Sequence, residues 1–147
     1  MVIKHEQLEN AIDIEVYITY PQKTTFVKRL LNLIKSADTQ LICQSNGNVK
    51  IVNSSEIDYI ESIDKKSFIY CEKNGYLIKE PLYKIYEKLK HIGFIQINKY
   101  CVLNLNRLKN IKQLPNSHLE AVLKNGTQLY VTRKYLNNLK NILMEKQ

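Results

Sequence analysis

The sequence predicts a compact, mainly antiparallel β fold of the α+β class, with short helices and an N-terminal strand-helix extension. Three observations carry that expectation. Short apolar segments recur with a period of two, as half-buried strands require. Turn-forming Asn, Gly, Asp and Lys residues punctuate them at regular spacing, which marks a succession of hairpins. Helical spacing is confined to three places, each beside a capping or breaking residue.

Each element follows from its residues. AIDIEVYITY sets Ile12, Ile14, Val16, Ile18 and Tyr20 on one side, predicting a half-buried strand that Pro21 breaks. TTFVKRLLNLIKSAD then puts Phe26, Leu30, Leu33, Ile34 and Ala37 at helical spacing, with Thr24 or Thr25 as the cap. LICQ and VKIV flank Ser-Asn-Gly-Asn, a hairpin signal because Asn and Gly tolerate positive φ. IDYIESI and SFIYCE flank Asp64-Lys65-Lys66, and Lys73-Asn74-Gly75 turns into YLIKE. Pro81 opens a short helix with Leu82, Ile85, Tyr86 and Leu89 as its apolar stripe, and Gly93 ends it. FIQI, CVLN and LKNI follow, then an exposed turn at 113–117. LEAVL and QLYV flank the turn at Lys124, Asn125, Gly126 and Thr127. Thr132 is placed to cap a closing helix, RKYLNNLKNILME, with Leu136, Leu139, Ile142 and Leu143 packing inward.

A chain of 147 residues is one domain with a modest extension, long enough for its own core. The division expected is an extension over 1–45, serving dimerisation or regulation, and a main domain over 46–147. No apolar run approaches the roughly 20 residues that span a bilayer, and MVIKHEQLEN lacks a secretory core. Cys43, Cys71 and Cys101 are odd in number and widely spaced, so they read as reduced core residues of a cytoplasmic protein. The net charge of +8 is unevenly placed. Residues 1–45 balance, whereas residues 99–147 hold nine Lys/Arg against Glu120 and Glu145. A localised basic face attracts polyanions, and nucleic acid is the commonest of these.

Enzyme chemistry is not expected. His5, His91 and His118 are scattered without ligand partners, and no Gly-rich phosphate loop or nucleophile motif occurs. Glu56, Asp58 and Glu61 read as a solvated strand edge. No cofactor, metal or small-molecule substrate is implied. The basic residues instead fall in three turns at strand ends: Asp64 to Ser67, Asn98 to Tyr100, and Thr132 to Lys134. Lys and Arg neutralise phosphates or contact guanine, and Asn or Ser donates to either groove edge. Lys109, Lys112 and Lys124 supply long-range attraction only. Asn104 reads as structural, and Tyr59 as a packing residue. An RNA-binding or protein-interaction module is the alternative, since ten tyrosines offer stacking surfaces.

The order YIES–IDKKSFIY, LYKIYEKL, GFIQINKYCVLNLNRLKNI and LEAVLKNGTQLYVTRKYLNNLK resembles the LytTR family of bacterial DNA-binding domains, over about residues 47–144. The resemblance implies stacked antiparallel sheets that put connecting loops, rather than a recognition helix, into successive major grooves of duplex DNA. It implies a transcription regulator whose base-reading positions fall on or beside Ser67, Lys99 and Lys134. The full expected DNA-binding set is Lys65, Lys66, Ser67, Asn98, Lys99, Tyr100, Arg133 and Lys134. Asn98 and Tyr100 replace the histidine and serine common in the family, and Gln96 replaces a frequent arginine, which leaves the target sequence open. Many members carry a receiver domain, for which this chain is expected to have no room. The helix over 24–38, in the charge-balanced extension beside a basic domain, suggests a self-association or partner surface, and a homodimer on tandem half-sites is expected from it. The resemblance adds a membrane protein encoded nearby as the regulator.

Overall fold

The computed structural model describes residues 1–115 and 118–144. Ten strands form among them: β1 (Gln40–Ser45), β2 (Asn48–Asn53), β3 (Tyr59–Ile63), β4 (Lys66–Cys71), β5 (Asn74–Ile78), β6 (Phe94–Asn98), β7 (Cys101–Asn104), β8 (Leu108–Gln113), β9 (Leu119–Leu123) and β10 (Gln128–Val131). Three α-helices accompany them: α1 (Thr25–Ala37), α2 (Leu82–Leu89) and α3 (Arg133–Leu143). Seven strands make one antiparallel sheet in the order β2-β1-β5-β4-β3-β7-β6, and β10-β9-β8 make a second.

Period-two alternation explains how one sheet serves two cores. Ile60, Ile69, Cys71, Ile78 and Val102 point to the side covered by Leu82, Ile85 and Leu89 of α2. Ile95, Ile97, Cys101 and Leu103 point the other way, toward Ala121 and Leu123 of β9, Leu129 and Val131 of β10 and Leu139 of α3. β7 is therefore buried on both faces, which is why CVLN carries no polar alternation. All three cysteines are free and buried, as expected of small core residues.

Hairpin chemistry follows the sequence with one shift. Asn46 and Gly47 both take positive φ (51° and 80°), as do Asp64 and Lys65 (50° and 64°), the pattern of two-residue hairpin turns. The β4–β5 turn uses Glu72 and Lys73 (50° and 69°) rather than Lys73 to Gly75. Gly75 lies within β5 opposite Tyr70, whose ring would stand 3.0 Å from any added Cβ. That glycine makes room for an aromatic ring and does not form the turn. Asn116 and Ser117 of the expected turn at 113–117, and Glu145 of the expected closing helix, lie outside the described residues.

The extension departs further. Residues 12–20 form no strand, and Ile12, Ile14, Val16 and Tyr20 are exposed. Alternation prepares a segment for a sheet, but a strand exists only once a neighbour takes its backbone groups. Helix α1 forms as expected, with the Thr24 hydroxyl accepting from the Val27 amide at 3.2 Å. Its buried residues are Val27 and Ser36, while Phe26, Leu33 and Ala37 are exposed. The helix is tied to the loop after β2, where Ser54 Oγ donates to the Ser36 carbonyl at 2.7 Å. This contact turns the expected apolar face partly outward. In α3, Leu139 is buried and Leu136 and Ile142 pack beside it, while Leu143 is exposed.

Candidate nucleic-acid interface

The three basic turns meet at one end of the molecule, and the backbone shows how. β3 and β7 are neighbours, and their ladder extends toward the turns, where the Ser62 amide donates to the Tyr100 carbonyl at 2.8 Å. The Asp64–Lys65 turn therefore stands beside the Lys99–Tyr100 turn. The Thr132 amide donates to the Ile97 carbonyl at 3.0 Å, and Asn98 Nδ2 donates to the Tyr130 carbonyl at 2.7 Å. These bonds place the start of α3 on the other flank of the β6–β7 turn. The run of exposed cations is Lys65 and Lys66, then Lys99, then Arg133 and Lys134.

A groove of about 330 Å³ joins the first two turns, lined by Lys65, Lys99 and Tyr100 together with Pro81, Tyr83 and Tyr86 from the α2 region. Lys99 Nζ lies 5.6 Å from the Tyr100 ring centre, and Lys134 Nζ lies 5.5 Å from that of Tyr135. Contact with a ring face lightly orients each ammonium without neutralising it. Thr132 holds the N-cap position in extended geometry, but its side chain makes no capping bond. Thr132 thus leaves the first amides of α3 uncapped by its own hydroxyl, beside two cations, where an anion is favoured.

Two expected contact residues have other work. Ser67 is only 1% exposed, in phase with Ile69 and Cys71 on the α2 side, and its hydroxyl has no hydrogen-bond partner among the described residues. It is not on the turn's outer surface. Asn98 braces the second turn: its Oδ1 accepts from the Tyr100 amide at 2.8 Å while its amide nitrogen holds Tyr130. Tyr59 and Tyr70 stack on each other, ring centres 4.4 Å apart. Burial, ahead of the neighbouring Tyr70, raises the Tyr59 hydroxyl to about 12, and each ring covers one face of the other.

The scaffold beneath the turns rests on a polar knot that local patterns do not reveal. Asp58, read from sequence as part of a solvated edge, is 5% exposed. Its Oδ2 accepts from the Glu72 amide at 3.1 Å and from Asn125 Nδ2 at 3.3 Å, and Arg107 Nε lies 3.7 Å from Oδ1. Arg107 also donates to the Ser55 carbonyl at 2.9 Å, so this cation of the basic third serves the interior. Asn104, buried, donates to the Ile57 carbonyl at 2.9 Å and accepts from the Asn106 amide, the structural role expected of it. Only the period-two phase of Asp58 with Ile60 signalled its burial; its partners are 14 and more residues away.

Comparison with known proteins agrees with this architecture. The model of the LytTr DNA-binding domain matches residues 47–144. The chain is 25% identical over 96 residues to the sensory transduction protein LytT of Bacillus cereus, covering 65% of this chain and 39% of that protein. The corresponding Bacillus subtilis protein is 27% identical over 96 residues, with 40% of its length covered. The chain thus spans about two fifths of these relatives. A Staphylococcus aureus protein named as an uncharacterized HTH-type transcriptional regulator is 23% identical over 145 residues, 97% of this chain and 95% of its own. Among solved structures, the LytTr DNA-binding domain of a methyl-accepting/DNA response regulator from Bacillus cereus superposes with a TM-score of 0.67 at 22% identity. It covers 72% of this chain and 97% of that one. Matched by the family model over two thirds of its length, and sharing the fold of a solved member, this chain belongs to the LytTr DNA-binding domain family.

Proposed function

We propose that the protein regulates transcription by binding specific sites in double-stranded DNA, with its basic turns set into the major groove. The observation that carries this reading is the alignment of Lys65, Lys99 and Lys134 along one end of a stiff sheet, held by the Ser62–Tyr100 and Thr132–Ile97 bonds. Lys65, Lys66 and Arg133 take phosphates, and the α3 amides add a further phosphate position. Lys99, in the middle of the row, and Lys134, in the first turn of α3, read base edges. Residues 1–45 act as the extension through which two copies cooperate on tandem half-sites, and residues 46–147 bind DNA.

Selection of genomic fragments by the purified protein, followed by mobility shifts against competitors, tests the reading. The expected result is a recurring duplex motif that unlabelled duplex competes away and single strands do not. Preferential competition by single-stranded RNA would replace it with the RNA-binding alternative.

A further inference from the structure

Two features of the first 53 residues remain unpaired among the described residues. The alternating segment at residues 11–20 has no strand partner among the described residues, with Ile12, Ile14 and Val16 exposed by 102%, 87% and 57%. Among the described residues, β2, at the end of the seven-stranded sheet, has only β1 as a neighbour. Its outward face joins Val49 and Ile51 to Ile42, which pairs with Ile51 across the ladder. These three are 72%, 62% and 68% exposed. An open edge of this kind, apolar on one face, is a template for another strand.

We propose that residues 11–20 of one copy add as a strand to the free edge of β2 in a second copy, so that reciprocal exchange forms a twofold dimer. Pattern and charge both select this occupant. With Ile12, Ile14, Val16 and Ile18 laid beside Val49, Ile51 and Ile42, Asp13 and Glu15 fall on the opposite face, where β2 presents Lys50. A one-residue slip would reverse every side chain, so the register is specified. Residues 5–20 carry Glu6, Glu9, Asp13 and Glu15 without a Lys or Arg. Lys50, the one charged residue of β1 and β2, donates to the Tyr76 hydroxyl at 3.0 Å and stays exposed, so the acidic donor meets a single cation at this edge.

The donor comes from another copy because α1 carries its own segment away from β2. The last turn of α1 is fastened near the end of β2, where Asn53 Nδ2 donates to the Ala37 carbonyl. Its middle, at Asn32, lies against Gly93, which leads into β6 at the opposite edge of the sheet. Thirteen residues at about 1.5 Å each put the start of α1 roughly 18 Å from that fastening. Residues 11–20 depart from the far end. Closed exchange of identical elements is the usual low-cost route to such a pair.

The proposal deepens the two-copy part of the functional reading and is tested apart from DNA recognition. Sedimentation of the full chain should show a dimer. Joint Ile14→Asp and Val16→Asp substitution, at positions already solvent-exposed, should raise its dissociation constant at least about tenfold. Lys50→Glu should weaken the dimer, and adding Asp13→Lys with Glu15→Lys should restore it. A Val16→Cys chain mixed with an Ile51→Cys chain should oxidise to a covalent pair that neither chain forms alone. A wild-type monomer, an undiminished dimer in the double-aspartate variant, or a Val16→Cys/Ile51→Cys chain that closes only on itself would overturn it. Binding to a duplex with one half-site should be unchanged in the double-aspartate variant, so loss of DNA recognition and loss of pairing are read separately.

Discussion

At the scale of single residues, Lys99 and Lys134 stand at the tips while Asp58 sits in the knot behind them, and their replacement should have opposite signatures. Lys99→Ala or Lys134→Ala should lower affinity for the selected site by about 1–3 kcal/mol, with a smaller loss on scrambled duplex. Equal losses on both, in parallel titrations, would reduce these lysines to backbone contacts. Asp58→Ala strands the Glu72 amide and Asn125 and should cost about 1–3 kcal/mol of folding stability in urea. The thiols predict a pH trend. Burial raises Cys43 from 9.0 to about 11, and burial aided by nearby Asp58 raises Cys71 to about 12. The unfolded chain therefore loses these protons first. Stability is constant on this account below about pH 9 and falls as pH rises toward 11 and 12. Denaturant midpoints that climb across that window would contradict it. Sequence made the exposed cations legible because tips between strands are solvated. It could not reveal that Ser67 is in phase with the core, nor that Asn98 spends its amide on Tyr130, because both facts depend on neighbours distant in the chain.

At the scale of elements, the hairpins show where local chemistry suffices. Asn46-Gly47 and Asp64-Lys65 fold as their residue types dictate, although Lys65 holds φ 64° with a Cβ. A non-glycine residue there costs roughly 1–2 kcal/mol. Lys65→Gly should accordingly raise thermal stability while weakening DNA binding, and a variant that gained both would show that the lysine makes no contact. Residues 12–20 mark the boundary of such reasoning. Their alternation states which side chains share a face, but the existence of a partner strand is not a local property. The misassigned face of α1 has the same origin, because Ser36 and Val27 are chosen by contacts with the β2–β3 connection. Gly75 reads as a turn residue from sequence because composition does not distinguish a glycine that bends the chain from one that clears space for a ring.

At the scale of the whole molecule, charge and topology act together. The excess of basic residues lies in the last third of the chain, yet the fold brings Lys65 and Lys66 from the middle third to the same end. If five or six phosphates are neutralised, the logarithm of affinity should fall with that of salt at a slope of about −5. A slope near zero in a salt titration would remove the electrostatic basis of the reading. The β6–β7 hairpin holds the middle of this row, and β7 has a hydrophobic layer on each side. Its mounting leaves little room for adjustment, whereas Lys99 and Tyr100 project freely beyond it. Retargeting the protein to a new operator should thus be a matter of rewriting a few projecting letters, with the plank that bears them left as it is.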